Sequence, residues 1–244
     1  MAKFSVIVAA AGKGERFGGR EKKTFAKLDG RPMFIQTLQR FVKRDDLSET
    51  ILAVAPEDFD MVKTKFGPNI AFMGVKLVKG GARRYDTVAA ALDAVSEDAD
   101  YVAIHDAARP CVTDEWIDAV FAEAVKSGAA ILATPVAGTL KRVSSQNVIE
   151  GTVSREGLFE AQTPQVFRKD LIVDGLAQLA DDAEEITDDS QLVERLNHPV
   201  SIVLCDATNL KVTTKGDLKL AAAILKSRPV KAAKPFGAFE EAQW

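Results

Sequence analysis

The chain has 244 residues, 47% of them hydrophobic, a formal net charge of −3, and only two histidines and two cysteines. That length holds one large domain or two small ones, with apolar side chains enough for a sizeable core. The weakly acidic balance excludes a general nucleic-acid binder, the lack of an eighteen-residue apolar run argues against a membrane span, and two histidines cannot build a histidine-rich metal site.

The N-terminus runs straight into a strand pattern, with no signal-peptide or transit-peptide character, so a cytoplasmic location is expected. Cys111 and Cys205 lack metal-ligand spacing and read as buried thiols of a reducing compartment. Lys3–Ala10 predicts a buried strand through Val6, Ile7 and Val8. Pro32–Arg44 predicts a helix, with Pro32 in its first turn and Ile35, Leu38 and Val42 on one face. A strand over Thr50–Ala55 follows, then a helix over Phe59–Phe66 that Gly67-Pro68 should end, a strand over Val75–Val78, an alanine-rich helix over Arg83–Val95 and a strand over Tyr101–His105. Thr113 has the character of an N-cap, with Asp114 and Glu115 in the first turn of a helix reaching about Ser127; Gly128 ends it, and Ala129–Pro135 returns as a strand. Such alternation implies βαβ units and a largely parallel sheet with helices on both faces.

The rhythm then breaks. Thr139–Ser144 and Val148–Ser154 flank a short polar turn and predict a hairpin, an arm leaving the main body over about 137–156. A strand over Ala161–Phe167, helices over Lys169–Leu179 and Asp189–Leu196, short strands over Ser201–Leu204 and Leu210–Thr213, and a closing helix over Lys215–Lys226 complete the pattern. The expected organisation is one α/β domain over 1–228, a three-layer αβα fold with a mostly parallel mixed sheet and a protruding β-arm, followed by a loose tail over 229–244.

The segment after the first strand, "AAAGKGERFGGREKK", is rich in glycine, and between Lys13 and Lys27 six basic residues stand against two acidic ones. Glycines let backbone N–H groups approach an anion closely, and the carboxyl end of a strand is where open α/β sheets bind ligands. Phe17 stands where a dinucleotide fingerprint needs Gly or Ala, and Arg20-Glu21 follows Gly19 where a P-loop needs Lys and a hydroxyl residue. A phosphate-rich ligand held by another architecture fits better. In "YVAIHDAARPC" a strand ends in Asp106, with Arg109 three residues on. Mg²⁺ or another hard cation takes one or two carboxylates plus substrate phosphates, which makes Asp106 the candidate ligand; a structural Asp–Arg pair is the plainer reading. "GGARRYDTV" adds a third loop, with Arg83, Arg84 and Thr87 near a helix N-terminus.

These pieces, in this order, resemble the 2-C-methyl-D-erythritol 4-phosphate cytidylyltransferases of the non-mevalonate, or methylerythritol phosphate, route to isoprenoids. The resemblance runs from about Val6 to Lys226 and includes "HDAARPC", "TPVAGTLKR", "VSREGLFEAQTPQVF", "EITDDSQLVE" and "NLKVTTKGDL". It implies a Rossmann-like nucleotidyltransferase fold and a Mg²⁺-dependent reaction of CTP with 2-C-methyl-D-erythritol 4-phosphate, giving 4-diphosphocytidyl-2-C-methyl-D-erythritol and pyrophosphate. It also implies a homodimer joined through the arm, with Arg142 and Arg155 completing the neighbour's site. Ala9, Ala10, Ala11, Gly12 and Gly14 match the loop around the base and phosphates of CTP. Arg16 and Lys23 match the basic residues on the triphosphate, and Lys211 matches another cation of the nucleotide site. Gly81 and Thr87 match cytidine contacts, with Asp86 beside them. Asp106 matches the carboxylate that takes the metal and meets the ribose, next to Ala107. Arg109 and Thr139 match contacts to the methylerythritol, and Arg155 the receiver of its phosphate.

The chain departs from the family pattern in two places. "KKTF" lacks the frequent Pro-Lys-Gln sequence, so Lys22 and Lys23 compete for one role, and Lys23 is favoured. "CDATNLK" puts Cys205 where Gly is usual and leaves the role of Asp206 open. A ribitol 5-phosphate cytidylyltransferase is the nearest rival reading; a non-catalytic nucleotide sensor on the same fold belongs to a different class.

Overall fold

Phe4–Ala10 (β1) shows no polar alternation because it lies between two parallel neighbours in a sheet covered on both faces. The computed structural model describes residues 2–12, 14, 17, 18, 22–179 and 186–228. Arg16, the acidic run at 181–185 and the tail from Pro229 lie outside the described residues. After β1 come a small hairpin of β2 (Lys27–Leu28) and β3 (Arg31–Pro32), then α1 (Met33–Leu38), β4 (Leu47–Val54), α2 (Phe59–Phe72), β5 (Val75–Lys79), α3 (Arg84–Leu92), β6 (Tyr101–Asp106), α4 (Asp114–Ser127) and β7 (Ala129–Pro135). The chain continues through β8 (Leu140–Val143), β9 (Ile149–Val153), β10 (Phe159–Arg168), α5 (Lys169–Ala177), α6 (Ser190–Glu194), β11 (Ser201–Leu204) and α7 (Lys215–Ser227).

One seven-stranded sheet has the order β11-β7-β10-β6-β1-β4-β5. Its strands pair in parallel except β10, which is antiparallel to both β6 and β7. Val6, Val8 and Leu52 pack on one face against Phe34, Val62, Ile117 and Phe121 from α1, α2 and α4. Ile7, Ile51 and Ile104 pack on the other against Val88, Ile172 and Leu192 from α3, α5 and α6. This is a three-layer αβα fold. β8 and β9 pair only with each other, as a separate two-stranded sheet. Among the described residues no helix is long and apolar enough to cross a membrane.

Three sequence expectations are corrected. Helix α2 does not stop at Gly67-Pro68 but runs to Phe72 with Pro68 inside it. Val62 and Ile70 are buried on one stripe with Phe66 between them, and Pro68 lies on the exposed side, so burial of the last turn outweighs the lost backbone bond. The helix expected over Pro32–Arg44 is α-helical only to Leu38. It tightens into i→i−3 bonds (Arg40 N–H to Thr37 O, 3.1 Å; Phe41 N–H to Leu38 O, 2.9 Å), which accompany the full burial of Phe41. Leu210–Thr213 is not a strand; Val212 N–H instead bonds the Ala108 carbonyl at 2.8 Å and ties the segment to the end of β6. The hairpin β2–β3 was not expected, although its turn carries the Asp29-Gly30 signature and both residues take positive φ, 51° and 80°.

Candidate active site

The chain moves from β1 to β4 and β5 on one side and returns to β6 on the other, so the crevice above β1 is a topological switch point. The carboxyl ends of β1, β4, β5 and β6 open there on a cavity of about 700 Å³. Ala9–Gly12 form its wall on the β1 side, all with small side chains.

The glycine-rich loop is fastened at two points. Phe17 is buried with Leu28, Met33 and Val212, and its N–H bonds Gly14 O at 2.9 Å. Gly14 has a φ of +66°, and a Cβ there would stand 3.0 Å from Lys23 Cγ, so glycine lets the Lys23 stem pass. Lys23 lines the cavity, whereas Lys22 pairs with Glu57 (2.9 Å) and Asp58 (2.7 Å).

The loop after β5 is fixed by sterics. A Cβ on Gly80 would lie 2.8 Å from Thr87 Cγ2, and one on Gly81 would lie 2.3 Å from Asp86 Cβ. The Thr87 hydroxyl accepts Gly81 N–H at 3.1 Å and lines the cavity. Asp86 does not line it. Its carboxylate accepts Arg83 N–H (3.1 Å) and pairs with the Arg83 guanidinium (3.0 Å), which caps α3 and draws the Asp86 pKa down, the Arg83 bond outweighing burial.

Asp106 is the electrostatic centre. Its side chain is 6% exposed and carries Arg84 Nη1 on Oδ1 at 2.5 Å and Lys211 Nζ on Oδ2 at 2.6 Å. Arg109 Nε stands off at 3.9 Å. Burial alone would raise this carboxyl; Arg84, Lys211 and Arg109 together hold it well below the ordinary carboxylate range. Arg84 also grips Asp189, whose side chain is 1% exposed, at 2.5 Å. Burial lifts the Asp189 carboxyl above its ordinary value, with Arg84 pulling the other way. The guanidinium is pushed up by the two carboxylates against its own burial.

Of the expected site residues, Ala9, Ala10, Ala11, Gly12, Lys23, Gly81, Thr87, Asp106 and Lys211 line the cavity together. Ala107 is buried, its carbonyl taken by Thr37 Oγ1 at 2.9 Å. Arg109 sends Nη1 to the Asn209 carbonyl at 2.7 Å. Thr139 and Arg155 are exposed beside the arm rather than on the cavity wall, and Arg155 donates to Ala137 O. Asp206 turns out to cap its own loop, accepting Thr208 N–H at 2.7 Å. Arg84 and Asp189 were missed as a pair. Arg84 was visible beside Arg83, but nothing local says that its partner lies 105 residues away. Cys111 and Cys205 are buried free thiols whose pKa burial raises to about 11.

A cleft at the switch point of a three-layer αβα sheet, lined by small residues and by Lys23, Arg84 and Lys211 with Asp106 among them, suits a nucleotide-using transferase. The IspD family, 2-C-methyl-D-erythritol 4-phosphate cytidylyltransferase, matches residues 4–227. The Rhodopirellula baltica protein of that name is 43% identical over 92% of this chain and 95% of its own. The crystal structure of the Thermus thermophilus protein of the same name superposes with a TM-score of 0.73 at 31% identity, covering 93% of this chain and 100% of that one. The Anaerococcus prevotii 4-diphosphocytidyl-2C-methyl-D-erythritol synthase structure gives 0.78 at 26% identity, over 92% and 96%. The chain belongs to the 2-C-methyl-D-erythritol 4-phosphate cytidylyltransferase family.

Proposed function

We propose that the protein transfers the cytidylyl group of CTP to 2-C-methyl-D-erythritol 4-phosphate and releases pyrophosphate. The family membership supports the substrates. The observation that carries the reading is that Lys23, Arg84, Lys211 and Asp106 line one cavity at the strand ends, with Arg84 and Lys211 on the Asp106 carboxylate. A phosphate oxygen of the acceptor attacks the α-phosphorus; the bond from that phosphorus to the bridging oxygen breaks, and pyrophosphate leaves with the electron pair. Both reactants are anions, and a phosphate monoester needs no general base near neutral pH. The protein's work is therefore positioning and opposed charge.

Lys23, with Arg16 on the same loop, stabilises the crowded phosphorus centre in this reading. Lys211 is the most exposed of the cations on Asp106, at 39% against 22% for Arg84 and 10% for Arg109. It is the one able to turn from carboxylate to incoming phosphate, while Asp189 retains Arg84. Asp106 lies on the cavity wall, and its carboxylate would hold Mg²⁺ once Lys211 has turned from Oδ2 to the phosphates. Bound there, a divalent ion would supply neutralising charge to the phosphates. Ala9–Gly12, Gly81 and Thr87 receive the cytidine, and Arg109, Thr139 and Arg155 the methylerythritol phosphate.

The same reading makes the protein a homodimer. Val143 and Ile149 face each other across the arm and are 51% and 61% exposed, a pair that a second copy would cover. Arg142 and Arg155 then complete the neighbour's cavity. The buried free thiols support a cytoplasmic location. Pyrophosphate release tests the function: CTP with methylerythritol phosphate should give turnover, and ribitol 5-phosphate little. Equal turnover with both, or none with either, rejects the assignment.

A further inference from the structure

Each carbonyl of the turn from Asp106 to Arg109 has its own donor. Arg109 N–H meets Asp106 O at 2.9 Å and Val212 N–H meets Ala108 O at 2.8 Å. Thr37 Oγ1 meets Ala107 O at 2.9 Å, and His105 Nε2 meets Arg109 O at 3.0 Å. His105 has no exposed surface and lies edge-on to Phe41, with 5.0 Å between ring centroids. His105 opens the "HDAARPC" segment, yet the proposed reaction gives it no role.

The ring's tautomer follows from its partners. A carbonyl oxygen only accepts, so Nε2 carries the proton. An imidazolium would be a fully buried cation with no carboxylate among the described residues on either nitrogen, so Nδ1 has a free lone pair. It accepts from the Thr163 hydroxyl at 3.1 Å, and Thr163 Oγ1 in turn accepts Asp106 N–H at 3.0 Å. The direction of each bond is thus fixed, from the Asp106 amide through Thr163 and the imidazole to the Arg109 carbonyl.

We infer that His105 is a positioning residue: its neutral ring spans the Asp106–Arg109 turn and sets the carboxylate at one end against the guanidinium at the other. The inference rests on the reading of the site given above. Arg109 Nε and Asp106 Oδ2 attract each other across 3.9 Å but stand beyond hydrogen-bond reach, so no directional bond between the two side chains fixes their geometry. Their spacing comes from the backbone, and His105 is the side chain that ties both ends of that turn, through Thr163 to the Asp106 N–H and directly to the Arg109 carbonyl. In that reading Asp106 meets the nucleotide and Arg109 the acceptor, so a small shift of one against the other misaligns attack; displacements of about 1 Å cost on the order of 10²-fold in rate.

Two measurements test this. Long-range ¹H–¹⁵N spectra should show His105 as the Nε2–H tautomer; the chain has only two histidines, and His105→Phe assigns the signals. An Nδ1–H tautomer overturns the proposal. Second, His105→Asn keeps an acceptor near the Nδ1 position and loses the Arg109 bond, whereas His105→Gln keeps a donor near Nε2 and loses the Thr163 bond. His105→Asn should chiefly raise the KM for methylerythritol phosphate, roughly 10-fold, and His105→Gln should chiefly weaken CTP binding in Mg²⁺ by calorimetry. His105→Phe should do both and lower kcat about 10- to 100-fold. The thermal midpoint of each variant is read alongside. Wild-type constants in all three, or losses that merely track the fall in thermal midpoint without the crossed pattern, overturn the proposal. Should the wild-type chain fail to turn over these substrates while the tautomer and the calorimetric loss in His105→Gln hold, the assigned reaction is wrong and the positioning of Asp106 stands.

Discussion

The end of β6 and the arm of β8 and β9 are built on opposite plans. At the end of β6 nearly everything is buried and tied: Asp106 and Asp189 share Arg84, and the turn after Asp106 has its carbonyls satisfied one by one. The arm pairs only with itself, and Val143, Val148 and Ile149 are more than half exposed. A two-stranded hairpin is marginal alone in water, so its apolar faces make sense when something covers them. The contrast separates two tasks. The tied end fixes charge before substrate arrives, within one chain. The arm defers its packing to an encounter. Substitutions at the first should act at any protein concentration, and those at the second should depend on it.

The largest effect should come from Arg84→Met. It strands Asp189, a carboxylate 1% exposed, and removes one of the two close cations on Asp106. Breaking such a pair commonly costs about 3 to 5 kcal/mol. Urea unfolding should show a loss of that order, and Asp189→Leu in the same chain should recover much of it by removing the stranded charge. A loss under about 1 kcal/mol, the scale of an exposed ion pair, would mean that the tied end is not what holds this region. Lys23→Ala comes next: kcat should fall on the order of 10²-fold or more with the urea midpoint unchanged, since Lys23 faces the cavity and not the core. Wild-type turnover in a folded Lys23→Ala protein rejects its role.

Arg155→Ala should be milder. Its side chain is exposed and away from the cavity wall of its own chain, so the fold should not notice. The KM for methylerythritol phosphate should rise roughly 10-fold, while CTP binding stays constant; a charge-assisted contact of about 1.5 kcal/mol sets that scale. Mixing Arg155→Ala with Lys23→Ala should restore part of the activity, because a mixed dimer has one cavity with both residues intact. If no activity returns in a dimer shown to exchange subunits, Arg155 serves its own chain.

The layers and most strands were legible because apolar runs and helical periods report burial directly, as in Val6–Val8 and Tyr101–His105; the order of the strands in the sheet was not. The cavity was legible where a strand end coincides with glycine or charge, at Ala9–Gly12, Gly81 and Asp106. Interactions closed by tertiary folding were not. Asp189 reads as part of an acidic run until β10 and α6 bring it under Arg84. Pro68 reads as a helix stop because the sequence does not say which side of α2 faces solvent. Leu210–Thr213 alternates like a strand, yet its N–H at Val212 is spent on Ala108 rather than on a sheet edge. Asp86, beside the expected cytidine contacts, caps α3, and its orientation depends on where Arg83 turns.

The smallest effect on the protomer should come from Ile149→Asp. Ile149 is 61% exposed and its cross-strand neighbour Val143 is 51% exposed, so a charge there removes little burial within the chain. Exposed substitutions of this kind stay within about 0.5 kcal/mol of the parent in unfolding. Between copies the outcome reverses. A carboxylate pressed into an apolar contact must be desolvated without a partner, and that costs several kcal/mol, enough to separate a dimer at micromolar concentration. Sedimentation should therefore show the parent as a dimer and Ile149→Asp as a monomer of unchanged melting behaviour. Its activity should fall with dilution more steeply than the parent's, because each cavity then lacks the neighbour's Arg155. A variant that stays dimeric, or a monomer as active as the parent at every concentration, would remove the arm from the site and leave the cavity of one chain as the whole catalytic apparatus.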